Sequence, residues 1–190
     1  MSTGFWGGPG GAIIDPKRSF RWLVTFGSQN QAIQSWYAKS AQKPRYELTE
    51  TPHQFLNHEF YYPGRVKWQE ITVTLVDPAR ENDTSIALME ALQSSGYALP
   101  LNQPSAANTI TKAGAVNAAG NQIFLDQLGA NAKDIVERWT LFNPWIKNVN
   151  FGELNYENED MVQIELTVRY DYATLRAGFP TETFPRVKSE

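Results

Sequence analysis

From Val162 to Tyr172 apolar and polar residues alternate: Val162, Ile164, Leu166, Val168, Tyr170 and Tyr172 share one side, and Gln163, Glu165, Thr167, Arg169 and Asp171 the other. A period of two belongs to an extended strand with one dry face and one wet face, because successive side chains point to opposite sides of the pleat. A slip of one residue would carry the whole apolar set into water, so the strand needs a partner sheet in fixed register. Upstream, Asp134 to Phe142 also reads as a buried strand, which runs into NPWIKNVNFGELNYENED.

Earlier segments extend the pattern. In SFRWLVTF, residues Phe20, Trp22, Val24 and Phe26 share a face, and Gly27 and Ser28 end the strand. A second run covers Ala32 to Ala41. Beyond Pro44, Arg45 to Thr49 and Gln54 to Tyr62 read as extended, with Pro52 and Pro63 suited to edges or bends. Here Leu56, Phe60 and Tyr62 share a face with His58, while Phe55, Asn57, Glu59 and Tyr61 face the other way, so neither side is fully dry. A ribbon of this kind exposes backbone N–H and C=O groups along its edges unless another chain completes the sheet, which points to an oligomer. Gly64 leads into a strand from Lys67 to Val76 carrying Trp68, Ile71, Val73 and Leu75.

A helix follows, starting at Asp77-Pro78 or at Asp83, with Ile86, Met89 and Leu92 as its apolar stripe, Leu88 on the flank and Gly96 as the stop. Residues 97–132 are rich in Ala, Asn, Gln and Gly, with Lys112 and Asp126 as the only charges, and read as a neutral insertion holding an apolar cluster of Ile123, Phe124, Leu125 and Leu128. Residues 1–16 form a Gly/Pro-rich arm and residues 176–190 a loose or extended tail, which leaves 17–175 as one domain.

At 190 residues and 42% apolar content the chain can bury a core. A net charge of −3 disfavours tight DNA binding, which relies on clustered Lys and Arg. Without cysteine there is no disulfide, thiolate metal site or Cys nucleophile, as suits a reducing compartment. The first residues show no basic start followed by an apolar core, so neither an export signal nor a membrane anchor is expected.

His53 and His58 lie five apart, a spacing that fits neither a helical nor a strand metal pair. Glu157, Asn158, Glu159 and Asp160 lack the order of a calcium loop and read as a solvated turn. GGPGG at 7–11 lacks the Gly-Lys-Ser/Thr of a phosphate loop, no G-x-S-x-G elbow occurs, and no acidic pair stands out as a hydrolase would need. Trp22, Trp68 and Trp139 fall on apolar strand faces; Trp6, Trp36 and Trp145 have no evident place.

Several phrases are similar to the tail tube protein of contractile-tailed, T4-like bacteriophages and related contractile injection systems. They are SFRWLVTF, AIQSWYAKSAQKPRYELTE, YYPGRVKWQEITVTLVDPA and, most specific, WTLFNPWIKNVNFGELNYENEDMVQIELTVRYDY, together spanning about residues 19–175. The resemblance implies a mainly β fold of two packed antiparallel sheets with one flanking helix. It implies hexameric rings that close a continuous barrel and stack into a tube, with sheath, baseplate and tail terminator proteins as partners. A tape measure protein would occupy the lumen and DNA would pass through unbound, in a virion tail assembled in the bacterial cytoplasm, with no enzymatic activity and no cofactor.

A bore that carries DNA should offer carboxylates or neutral polar groups to phosphate, and the expected lining residues are Glu47, Glu50, Glu59, Glu165 and Asp171. Contacts between subunits or rings are expected at Phe5, Trp6, the turn from Asp77 to Glu81, and Phe124. A tube-initiating or tube-terminating ring and a toxin-delivering tube fit the same resemblance; a carbohydrate-binding β-sandwich using exposed tryptophans is the more distant alternative.

Overall fold

The computed structural model describes residues 17–27, 38–79, 83–99, 109–130, 134–157 and 159–180. In chain order the elements are β1 (Trp22–Phe26), β2 (Ala38–Ala41), β3 (Tyr46–Phe55), β4 (His58–Trp68), β5 (Ile71–Val76), α1 (Thr84–Ser94), α2 (Lys112–Ala118), β6 (Gln122–Leu128), β7 (Asp134–Phe142), β8 (Trp145–Asn150), β9 (Gln163–Arg169) and β10 (Tyr172–Pro180). They form two four-stranded antiparallel sheets, ordered β1-β6-β7-β10 and β2-β5-β9-β8, and a separate β3–β4 hairpin.

Alternation in β5 and β9 sets their register. Ile71 lies opposite Val168, Val73 opposite Leu166 and Leu75 opposite Ile164, so all six point inward and all are buried. In the other sheet Val24, Leu125 and Trp139 line up across β1, β6 and β7, as do Phe26, Ile123 and Leu141. The two inner faces meet in one core, which Leu88 of α1 joins.

The alternating segment at the C-terminus is not one strand. It bends at Asp171, whose N–H donates to the Phe142 carbonyl at 3.1 Å, and the chain then enters β10 in the opposite sheet. Tyr172 therefore leaves the row of Ile164, Leu166, Val168 and Tyr170, and stacks on Phe142 with ring centroids 4.6 Å apart. Because β10 runs on to Pro180, the domain boundary expected after Leu175 falls inside a strand.

The stretch 97–132 is no simple insertion either: it holds α2 and β6, and β6 lies between β1 and β7 inside a sheet. So among the described residues two helices flank the sheets, where one was expected. At Gly27 and Gly120 the end of β1 meets the α2–β6 turn so closely that a Cβ on Gly27 would lie 2.0 Å from the Gly120 carbonyl oxygen. Both glycines have positive φ, +35° and +86°, so neither position suits a side chain.

Helix α1 starts where Asp83 caps it, accepting the Ile86 N–H at 2.8 Å, and its C-cap is Ser95 just before Gly96. Its buried face is Thr84, Ala87, Leu88 and Ala91 rather than the expected stripe; Ile86, Met89 and Leu92 are 47%, 39% and 38% exposed. Small residues lie where the helices meet. A Cβ on Gly114 of α2 would lie 2.5 Å from the Ser95 carbonyl oxygen, so this position suits glycine alone.

The β3–β4 hairpin turns at Leu56 and Asn57, with Leu56 at φ 53°, an uncommon conformation for a bulky residue. Pro63 sits in β4 opposite Glu50, where the register shifts, so its missing N–H falls at an irregularity in the ladder. An aromatic chain anchors the base: Tyr46 meets Trp68 edge-on at 5.4 Å, and Trp68 lies 6.1 Å from Tyr170. Above it Leu48, Phe55, Leu56, Phe60, Tyr61, Tyr62 and Val66 are all exposed.

Candidate assembly surfaces

The five acids expected to line a bore occupy three separate places. Glu165 projects from the wet face of the β2-β5-β9-β8 sheet, opposite Thr74 on β5 and Asn150 on β8. Thr72, Gln163, Thr167 and Asn148 share that face, and Ser40 donates to Thr74 across it at 3.0 Å. Glu47, Glu50 and Glu59 belong to the hairpin, where Glu47 accepts from the Gln69 amide and Glu59 from the Tyr61 hydroxyl. That hydrogen bond to Glu59, with a little burial and the Glu50 charge, raises the Tyr61 phenol above its ordinary value.

Asp171 lies at the β9–β10 bend. Lys112 reaches both its oxygens, at 2.7 and 2.8 Å, and Asn143 donates to it at 2.8 Å. These hydrogen bonds, first from Lys112 and then from Asn143, hold its carboxyl below the usual range. Asp171 thus fastens α2 and the β7–β8 turn to the end of β9.

Of the expected contact residues, Phe5 and Trp6 lie outside the described residues, as does Glu81. Asp77 accepts the Ser85 hydroxyl at 2.7 Å and its N–H donates to the Val162 carbonyl, so it ties α1 to the start of β9. Phe124 is partly buried on β6, with the Arg138 guanidinium 5.3 Å from its ring centre. That same guanidinium forms a two-pronged pair with buried Asp126, at 2.6 and 2.7 Å.

A second charge cluster gave no sequence signal, because its members are far apart in the chain. Glu137 of β7 takes Lys17, Lys43 at 2.9 Å and the Trp139 indole N–H at 2.6 Å on one carboxylate. Burial pushes this carboxyl upward, but the hydrogen bonds from Lys17, Lys43 and Trp139 outweigh it and hold the pKa down to about 2. The cluster joins the residues before β1, the segment after β2 and the middle of β7.

Among the described residues no group of three or more His, Asp and Glu side chains could hold a metal, and no helix is long and apolar enough to cross a membrane.

No protein-family model and no curated protein matches the sequence. Solved structures do match. A chain of the sheath/tube terminator of PVC, an extracellular contractile injection system, aligns in full with 87% of this chain, at TM-score 0.64 and 15% identity. The tube-terminating cap of the anti-feeding prophage aligns over 94% of its length with 87% of this chain, at TM-score 0.61 and 16% identity. The PVC sheath-tube complex gives 0.58 at 15% identity, over 85% of this chain and 92% of that one. The chain has the fold of injection-system tube proteins. At such identities the likeness extends to the backbone, and the tube-protein fold here carries its own surfaces: the wet face around Glu165, the hairpin, and the strands β1, β10, β2 and β8, which stand at the sheet margins among the described residues.

Proposed function

We propose that this chain is a tube subunit of a contractile particle, closing into hexameric rings that stack into a hollow conduit. The observation that carries the reading is the β3–β4 hairpin. Its ten-residue strand β3 reaches about 30 Å, and its apolar side chains from Leu48 to Val66 meet water along most of that length. An exposed two-stranded ribbon is marginal by itself and exposes its backbone edges, so a neighbouring copy is the natural cover. The margins of both sheets, which have no further strand beside them among the described residues, suit the same remedy, strand pairing between copies around an axis.

The wet face of the β2-β5-β9-β8 sheet suits a bore. Hydroxyl and amide groups with Glu165 give phosphate little to hold over most of this face, and the one cation on that side of β9, Arg169, stands at the end of the strand, so DNA would slide rather than stick. In this reading the role is structural, no cofactor is needed, and sheath, baseplate, terminator and a lumenal tape measure protein are the partners in a tail. A terminating ring is the second reading, favoured because two of the solved structures it resembles, at TM-scores 0.64 and 0.61, are a terminator and a cap.

Negative-stain microscopy at rising concentration tests both. The tube subunit gives hollow rods of many rings, the terminator single rings, and monomers throughout would refute assembly. Leu56→Asp at the hairpin tip should leave the melting temperature unchanged and abolish those assemblies; rods of normal length from that variant would remove the hairpin from the contact.

A further inference from the structure

The β8–β9 connection, residues 151–162, is an acidic and apolar finger. It carries Glu153, Glu157, Glu159 and Asp160 and no cation, Leu154 and Tyr156 stand almost entirely in solvent, and Met161 is exposed beside them. Two side chains shape it: Asn150 accepts the Gly152 N–H and Asn155 accepts the Glu157 N–H. Nothing in the core needs these apolar residues.

At the other end of the same two strands lies a cleft of about 660 Å³ with the opposite character. Lys67, Lys112 and Arg169 line it against a single acid, Asp171, and Trp68, Trp145 and Ile110 supply its apolar surface. Trp145 pairs with Arg169, while Asn150 pairs with Glu165 where the finger departs, so finger and cleft are separated by the length of β9, about 20 Å.

We propose that the finger of one copy seats in the cleft of another copy in the next ring. Complementarity supports the pairing: a group of four carboxylates meets a surplus of cations, and Leu154 and Tyr156 meet tryptophan faces. Direction supports the axial placement. Neighbours within a ring add sideways, along the hydrogen-bonding direction of the sheet, whereas finger and cleft lie at opposite strand ends. A contact that joins two different surfaces at opposite ends repeats without closing, which is what elongates a tube. The proposal rests on the tube reading above and assigns it a stacking contact.

The test uses the full chain, negative-stain microscopy and sedimentation velocity. Glu153→Lys with Glu157→Lys, on an exposed loop outside the core, should keep single rings and lose the rods. Lys67→Glu with Arg169→Glu should do the same, and all four changes in one chain should restore rods. Rods of normal length from the loop variant, or no restoration by the fourfold variant while each pair alone still forms rings, would overturn the finger-and-cleft contact and leave the rings standing. Absence of rings from the unaltered chain would instead overturn the tube reading, and this proposal with it.

Discussion

Replacing Glu137 by Gln removes one charge from the cluster that joins three distant segments, and its cost can be worked out. The carboxyl falls from 4.5 to about 2 on folding, and its side chain is only 9% exposed. At about 1.4 kcal/mol per pKa unit the full difference is worth roughly 3 kcal/mol. Lys17 and Lys43 are 53% and 54% exposed, so water and salt screen part of it, and about 2 kcal/mol is the working figure. The sign follows from the direction. A depressed carboxyl stabilises the fold above its unfolded value of 4.5, and this contribution disappears as pH falls through about 2. Urea titrations at pH 7 should show Glu137→Gln less stable by about 2 kcal/mol, a fall in melting temperature of about 4–8 °C. Repeated from pH 5 down to pH 2, they should show a stability loss in the unaltered chain that the variant lacks. Equal stability at pH 7, or parallel acid profiles, would refute the argument.

Leu166 is fully buried between the sheets, so Leu166→Ala should cost about 2–5 kcal/mol with an unchanged dependence on urea concentration, which a chemical denaturation curve reads directly. Gly27→Ala places a methyl 2.0 Å from the Gly120 carbonyl oxygen at positive φ, and should cost about 2–4 kcal/mol by the same measurement; an unchanged midpoint would mean that the β1 end and the α2–β6 turn can part freely.

Sequence alternation revealed β5 and β9 because each has one dry and one wet face, β7 read as a buried strand, and the ribbon was legible because its apolar residues sit on both sides. It failed at β6. There Asp126 and Gln127 are as buried as Ile123, since Arg138 neutralises the first and the second donates to the Arg18 and Arg21 carbonyls, so polarity no longer marked the solvent side. It failed at α1 for a different reason. Large residues attract attention as the buried stripe, yet the face turned inward is Thr84, Ala87, Leu88 and Ala91, with only Leu88 large, and Ile86 and Met89 face outward. The five acids could be assigned to strand faces from their positions. Which sheet each face belongs to depends on long-range pairing, and only that separates Glu165 from Asp171 and from the hairpin three.

Energetically the molecule divides into a sandwich that holds itself and surfaces that do not. The core residues of both sheets and Leu88 touch one another, so a lone chain can fold around them. The hairpin contributes little beyond its own cross-strand pairs, carries Leu56 in a costly conformation, and is moored through Tyr46, Trp68 and Tyr170 at one end. Contact with another copy would bury its apolar face without the entropy of folding a core. In the proposed tube the stability of the hairpin would therefore be linked to subunit concentration while that of the sandwich would not, and growth of the assembly would order the ribbon without refolding the body.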